Sequence, residues 1–349
     1  MVYNFSTCVV SSRFLSADAD EEWDNQSEVM VKLIGFVRLG LVLLLAFALG
    51  GVALGGLSSA VARRQTGWQG ELPGDTVFLP ADNPHIIEDD VIVPTGVTLT
   101  LAPSAELHFA PGASLLVYGR LNAVGTSSQP ITLTWRDEGQ TWGAVAILDS
   151  LADNRLEHVI VEHAGEEPDT TPRHQGVTVR NARLTIAHSV IRHVDGRGAH
   201  VEDNSIFSLL DSEIYQTRGD GVSVAGGQIV IQRNHIHDIA WEDHNYEGIS
   251  INEISPDHPA LVTDNHIHHI SDDCFDVNRA SATLARNRVH HCGDKAVSVG
   301  ALLGQYPNDS VIHLANNLIY ASASGVVIKD SATSHLVNNT IVDLSLIHI

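Results

Sequence analysis

Short runs that alternate apolar and polar residues recur through most of this chain, and they keep a common phase. Val177-Thr178-Val179, Ala199-His200-Val201, Val222-Ser223-Val224 and Ile249-Ser250-Ile251 are followed by Phe275-Asp276-Val277, Val297-Ser298-Val299 and Val326-Val327-Ile328. Gly precedes the first apolar residue in most copies, while Cys274 and Ala296 take its place in two. Such brief alternation predicts short strands with one buried face, and apolar residues at helical spacing are missing. A second phrase follows in phase: Asn234-His235-Ile236, Asn265-His266-Ile267, Asn287-Arg288-Val289, Asn317-Leu318-Ile319 and Asn339-Thr340-Ile341, with Ser189 and Ser212 in the Asn place of earlier copies. The steps between these positions are 23, 22, 31, 22, 30 and 22 residues, the spacing of a solenoid with insertions. Strands stacked in register lie about 4.8 Å apart, so a file of Asn amides can hydrogen-bond from coil to coil. Asn also tolerates the left-handed backbone of a tight turn.

With these two phrases the chain resembles the right-handed parallel β-helix superfamily, which is pectate-lyase-like in architecture. The upstream segments Val97-Thr98-Leu99-Thr100-Leu101, Glu106-Leu107-His108-Phe109, Leu115-Leu116-Val117 and Ile131-Thr132-Leu133-Thr134 are similar to the opening coils of β-helices in large bacterial surface proteins. The resemblance covers residues 77–343. It implies an all-β fold, a right-handed parallel β-helix of about ten coils. It does not decide activity, because the superfamily hosts lyases, hydrolases, epimerases and non-catalytic adhesins.

Residues 39–57 carry no charge, and that length permits a membrane span. Met30-Val31-Lys32 and Arg38 before them, and Ala60-Val61-Ala62 after, have the flanks of a secretory signal peptide instead. We therefore expect residues 30–62 to be a signal peptide, with an uncleaved membrane anchor as the alternative, and either one exports the rest. Residues 1–29 read as a disordered over-extension of the N-terminus and 63–76 as a linker. Residues 344–349 read as a non-native tail on a β-helix that is truncated at its C-terminus.

Acidic residues outnumber Lys and Arg by 42 to 20, a net charge of −22. So acidic a surface disfavours nucleic acid and anionic membranes as partners, and it leaves room for divalent cations and for neutral or cationic glycans. Two of the three cysteines, Cys274 and Cys292, lie in the repeats. Cys274 aligns with Ala296 rather than with Cys292, which favours separate packed thiols over a disulfide, although export permits one.

Aligned in phase, the repeats bring Asp220, Glu247, Asp272, Asp273 and Asp276 over three consecutive coils. Two unit charges about 5 Å apart repel by roughly 3 kcal/mol at an effective dielectric of 20, so this group requires a cation, a shared proton or full solvation. Its all-oxygen donors favour Ca²⁺ or Mg²⁺ over zinc. The group resembles polysaccharide lyases of the β-helix class. That likeness implies Ca²⁺ on Asp272, Asp273 and Asp276 with Glu247 below, and Lys295 as the base beside Asp273. Carboxylates beside Lys295 should raise its pKa, which opposes that role unless calcium offsets them. The segment is also faintly similar to polygalacturonases, through Asp272-Asp273-Cys274 and Gly325-Val326-Val327-Ile328-Lys329. However, Lys295 stands where that family has His, and Val327 where it has Arg. An ordinary exposed ion pair between Lys295 and Asp273 explains the same two residues without any catalysis.

Asp220, His200 and Trp241 are the expected substrate contacts. Trp241 lies in an insertion, the usual working side of a solenoid, and Trp135 and Trp142 are further candidates for stacking on sugars, with a buried turn aromatic as the equal alternative. Paired histidines at His235/His237 and His266/His268, followed by Arg288/His290, have spacing that could bind Zn²⁺ or Ni²⁺. Arg288 interrupts that column, and partly exposed stacked imidazoles that repel on acidification are the simpler reading. Two functions follow as expectations. One is an exported protein with a carbohydrate-binding or carbohydrate-active outer face, a calcium-assisted lyase in its sharpest form, acting on an extracellular polysaccharide or cell-surface glycan. The other is a non-catalytic, adhesin-type module of a larger protein.

Overall fold

The computed structural model describes residues 67–165, 175–240, 245–300, 311–329 and 332–345. Their regular secondary structure is all strand apart from a single 3₁₀ turn at Pro80–Asp82. No helix among them is long and apolar enough to cross a membrane. Each regular coil contributes three strands: Gln175–Arg180, Arg183–Ala187 and Val190–Val194, then Arg197–Glu202, Ile206–Leu210 and Glu213–Thr217. Every strand pairs in parallel with its counterpart one coil away. First and third strands make a 21-stranded network, and second strands make an 11-stranded sheet. Strand structure begins within the segment expected as a linker, because Trp68–Glu71 pairs in parallel with His85–Val93.

The phase inferred from the sequence is the register of the stack. Val177, Ala199, Val222, Ile249, Phe275, Val297 and Val326 form one file. All but Val326 are fully buried, and each large side chain so buried contributes roughly 1.5–3 kcal/mol. Trp142 belongs to this interior as well. It is inaccessible, stacks on Phe109 at 4.2 Å and donates its indole N–H to the Glu162 carbonyl at 2.8 Å, so it is a core residue rather than a sugar platform. Trp135 stacks on His163 at 3.7 Å.

The Asn file is a continuous ladder. Asn234, Asn265, Asn287 and Asn317 each donate backbone N–H and side-chain N–H to the Oδ1 of the Asn on the following coil, at 2.9–3.1 Å. Ser189 and Ser212 extend it by donating backbone N–H to Ser212 Oγ and Asn234 Oδ1. The left-handed residue is the one before each Asn, or before Ser212: Asp211, Arg233, Asp264, Arg286, Asn316 and Asn338 have φ between 49° and 62°. The Asn side chain therefore fills the turn, and its predecessor bends it.

Cys274 and Cys292 are disulfide-bonded, contrary to the expectation of separate thiols. They occupy different files but face each other across the start and end of a single coil, so the bond closes that coil on itself.

Candidate functional site

The first strands open with a file made of Gln175, Arg197, Asp220, Glu247, Asp273, Lys295 and Ser324, fixed by the register of the residues that follow. Three of these side chains cap the backbone of the next coil. Gln175 Oε1 accepts the Arg197 N–H at 2.9 Å, Asp220 Oδ1 accepts the Glu247 N–H at 3.2 Å, and Asp273 Oδ1 accepts the Lys295 N–H at 2.8 Å. Asp220 and Asp273 are consequently only 4% and 5% exposed. Gly221 lets the coils approach this closely, since a Cβ there would lie 2.7 Å from the Gly248 carbonyl oxygen.

Each buried carboxylate has a cation on one side. Arg197 Nε reaches Asp220 Oδ2 at 3.3 Å, and Lys295 Nζ reaches both oxygens of Asp273 at 3.2 and 3.4 Å while also contacting Asp294. Glu247 lies between the two ion pairs and, among the described residues, has no cation of its own. One oxygen each from Asp272, Asp273 and Asp294 lie within 4.8 Å of one another, an arrangement able to hold a hard dication. Asp276 and Glu247, expected in the same metal set, are placed differently: Asp276 bonds Asn278, and Glu247 bonds Asp220.

The neighbouring outward file runs Thr178, His200, Ser223, Ser250, Asp276, Ser298 and Val327. It faces away from the apolar interior, yet Ser298 is wholly inaccessible. Ser298 Oγ, Asp276 Oδ1 and His200 Nδ1 are buried with no hydrogen-bond partner among the described residues. His200 Nε2 meets Glu202 at 3.0 Å. It stands three coils from Asp276, about 14 Å at the usual strand spacing. Trp241 lies outside the described residues.

Compared with known proteins, residues 175–345 match the family described as the right handed beta helix region. The chain is a right-handed parallel β-helix. A stretch of 64 residues is 36% identical to Protein bark beetle of Drosophila melanogaster; it is 18% of this chain but only 2% of that protein's length. Among solved structures, a periplasmic alginate epimerase, AlgG, aligns with a TM-score of 0.48 and 8% identity over 74% of this chain and 73% of its own. An alginate lyase from Paenibacillus aligns at 0.44 and 16% over 73% and 97%. The A-module of a mannuronan C-5 epimerase from Azotobacter vinelandii aligns at 0.45 and 12% over 77% and 91%.

Electrostatics divide the β-helix's acidic file by function. Burial, the hydrogen bond to Asp220 and the charges of Asp220, Asp276 and Asp272 push the Glu247 carboxyl up to about 9, so it is a neutral acid at pH 7. Asp272 is raised by burial and by Asp273. Burial also raises Asp273 against the pull of Lys295. Burial lowers Lys295, but the hydrogen bond to Asp294 and the charge of Asp273 outweigh this and leave its pKa raised. As it stands Lys295 is therefore a counter-ion, while Glu247 is the group poised to donate a proton. The sequence flagged Glu247 by its carboxylate neighbours, whereas the capping role of Asp220 and Asp273 depends on a coil-to-coil geometry that no local motif announces.

Proposed function

We propose that this is an exported β-helix that binds, and acts on, an extracellular polysaccharide across the paired files from Asp220 to Lys295 and from His200 to Ser298. The observation that carries this reading is the carboxyl kept neutral at Glu247, held between the backbone-capping carboxylates Asp220 and Asp273 on consecutive coils. Glu247 is the proton donor in this reading. Export through residues 30–62 is part of the proposal, and the Cys274–Cys292 disulfide is of a kind that persists in oxidising compartments.

Ca²⁺ is the proposed cofactor. Asp272, Asp273 and Asp294 suit it as an all-oxygen set, and burial with the Asp273 charge keeps the Asp272 pKa raised even though Lys295 pulls it down. Bound there, calcium would neutralise a uronate carboxylate and so acidify the adjacent C–H. Lys295 already holds Asp273 and Asp294, so ammonium and dication compete for the same oxygens, and the amine becomes available as a base only when displaced. A non-catalytic glycan-binding surface uses the same files without that displacement.

The test is a polysaccharide panel assayed for binding and for release of unsaturated uronate, with and without chelator. Wild-type protein is compared with Glu247→Gln, Asp276→Asn and Lys295→Ala. Activity abolished by chelator and by Lys295→Ala supports the lyase form. Binding without turnover, weakened by Asp276→Asn, supports the binding form. Neither binding nor turnover on any anionic or neutral glycan overturns the proposal.

A further inference from the structure

The third strands carry a different chemistry on their outer face. Flanking the buried Ile236, Ile267 and Val289, His235 and His237 point outward on one coil, His266 and His268 on the next, and Arg288 and His290 on the one after. We propose that His235, His237 and His268 form a binding site for a transition-metal dication of the zinc class, separate from the carboxylate files.

One ring nitrogen from each of these three side chains lies within 4.8 Å of the other two. His235 Nε2 and His268 Nε2 are already 2.8 Å apart. Tetrahedral Zn²⁺ with Zn–N near 2.05 Å requires nitrogens about 3.3 Å apart, so ring rotations on the order of an ångström bring all three onto one ion. Two imidazole nitrogens at hydrogen-bond distance hold a single proton between them, and a metal takes that proton's place.

The remaining ring nitrogens are engaged in the way a metal site requires. His237 Nδ1 contacts Asp238 Oδ2 at 2.9 Å, His235 Nδ1 contacts Glu213 Oε1 at 3.2 Å, and His268 Nδ1 contacts His269. Partners of this kind fix the tautomer and leave Nε2 as the ligand atom. Glu213 Oε1 also lies 3.2 Å from His237 Nε2 and can serve as a fourth ligand. A second triad, His266, His268 and His290, shares His268, but Arg288 stands beside His266 in the same file and opposes a cation there. The first triad instead has two carboxylates next to it, Glu213 and Asp238. Burial and neighbouring charge hold the His268 and His266 rings well below their usual pKa, so they are neutral and carry free lone pairs at pH 7.

The test uses the full chain without an affinity tag, titrated with Zn²⁺ by calorimetry and with Co²⁺ by visible absorption. One ion is expected at micromolar affinity or tighter, with a four-coordinate Co²⁺ spectrum and no competition from millimolar Ca²⁺. His268→Ala and His237→Gln should each weaken binding at least tenfold, with the β-sheet circular dichroism retained. Asp238→Asn should weaken it roughly 10–100-fold through its effect on His237. His335→Ala, outside the array, should change nothing. Two results overturn the site: wild-type binding no tighter than that of His268→Ala, or, if that variant does not fold, binding unchanged in His237→Gln.

Discussion

Replacing Asn265 by Ala and by Ser separates the two things the Asn ladder does. Asn265 is 2% exposed. Its Oδ1 accepts the backbone N–H and the side-chain N–H of Asn234 at 2.9 and 3.0 Å, and its Nδ2 donates to the Ile231 carbonyl and to Asn287 Oδ1, both at 3.0 Å. Ala removes all four bonds and strands one backbone N–H and one backbone C=O in a dry interior. At roughly 1 kcal/mol for each of the two side-chain bonds and about 1–3 kcal/mol for each stranded backbone group, the loss should be about 4–8 kcal/mol. Ser keeps an acceptor for the Asn234 N–H, as Ser212 Oγ does for Ser189 at 3.1 Å, so the loss should be only about 1–2 kcal/mol. Urea unfolding gives the totals. Hydrogen exchange at the Asn234 amide gives the local effect, which should be confined to adjoining coils because a solenoid is stabilised between neighbours. Equal destabilisation by Ala and Ser, or unchanged exchange at Asn234 in the Ala variant, would refute this account of the ladder.

Two further outcomes follow. Cys292→Ser should destabilise the protein by about 3 kcal/mol, the closure entropy of a loop the length of one coil, and should remove any effect of reductant on the melting temperature. Stability should also fall on both sides of near-neutral pH. His266 and His290 titrate at about 4 and His268 at about 3 when folded, below the unfolded value of 6.5. The unfolded chain therefore binds more protons there, and their contribution is complete above pH 6.5 and lost as pH falls toward 3. Glu247 runs the other way: raised from 4.5 to about 9, it contributes fully below 4.5 and progressively less as pH climbs to 9. Glu247→Gln, which resembles the neutral acid, should flatten the alkaline limb of a Tm–pH profile and leave the acid limb alone. An alkaline limb unchanged in that variant would contradict the Glu247 assignment.

Strand phase was legible in the sequence because inward residues such as Val177, Val222 and Phe275 repeat with the spacing that stacking imposes. Asn234, Asn265 and Asn287 were legible for the same reason. What escaped was contact between files of different phase. Cys274 and Cys292 do not align, and only the closing of one coil brings them together. Trp142 looked like a surface aromatic because its partner Phe109 lies on a preceding coil, outside any local pattern. The acidic group was visible as a cluster, but the sequence could not separate members that cap backbone, Asp220 and Asp273, from the one left with its proton, Glu247. That distinction depends on which carboxylate has a cation on the adjacent coil, and coils of unequal length hide it.

The order of charges along the acidic file explains why one carboxyl stays protonated. Read coil by coil, the side chains are Arg197, Asp220, Glu247, Asp273 and Lys295, so each buried carboxylate that caps the backbone has a cation on its far side and Glu247 on its near side. A third negative charge in the middle would face two others at strand spacing, and the file avoids it by keeping a proton there. A dication at Asp272, Asp273 and Asp294 alters this balance at one end, because it displaces Lys295 and adds charge within reach of Glu247. Metal binding should accordingly release protons and lower the pKa of Glu247, so the alkaline limb of stability and the affinity for calcium are two readings of one electrostatic arrangement.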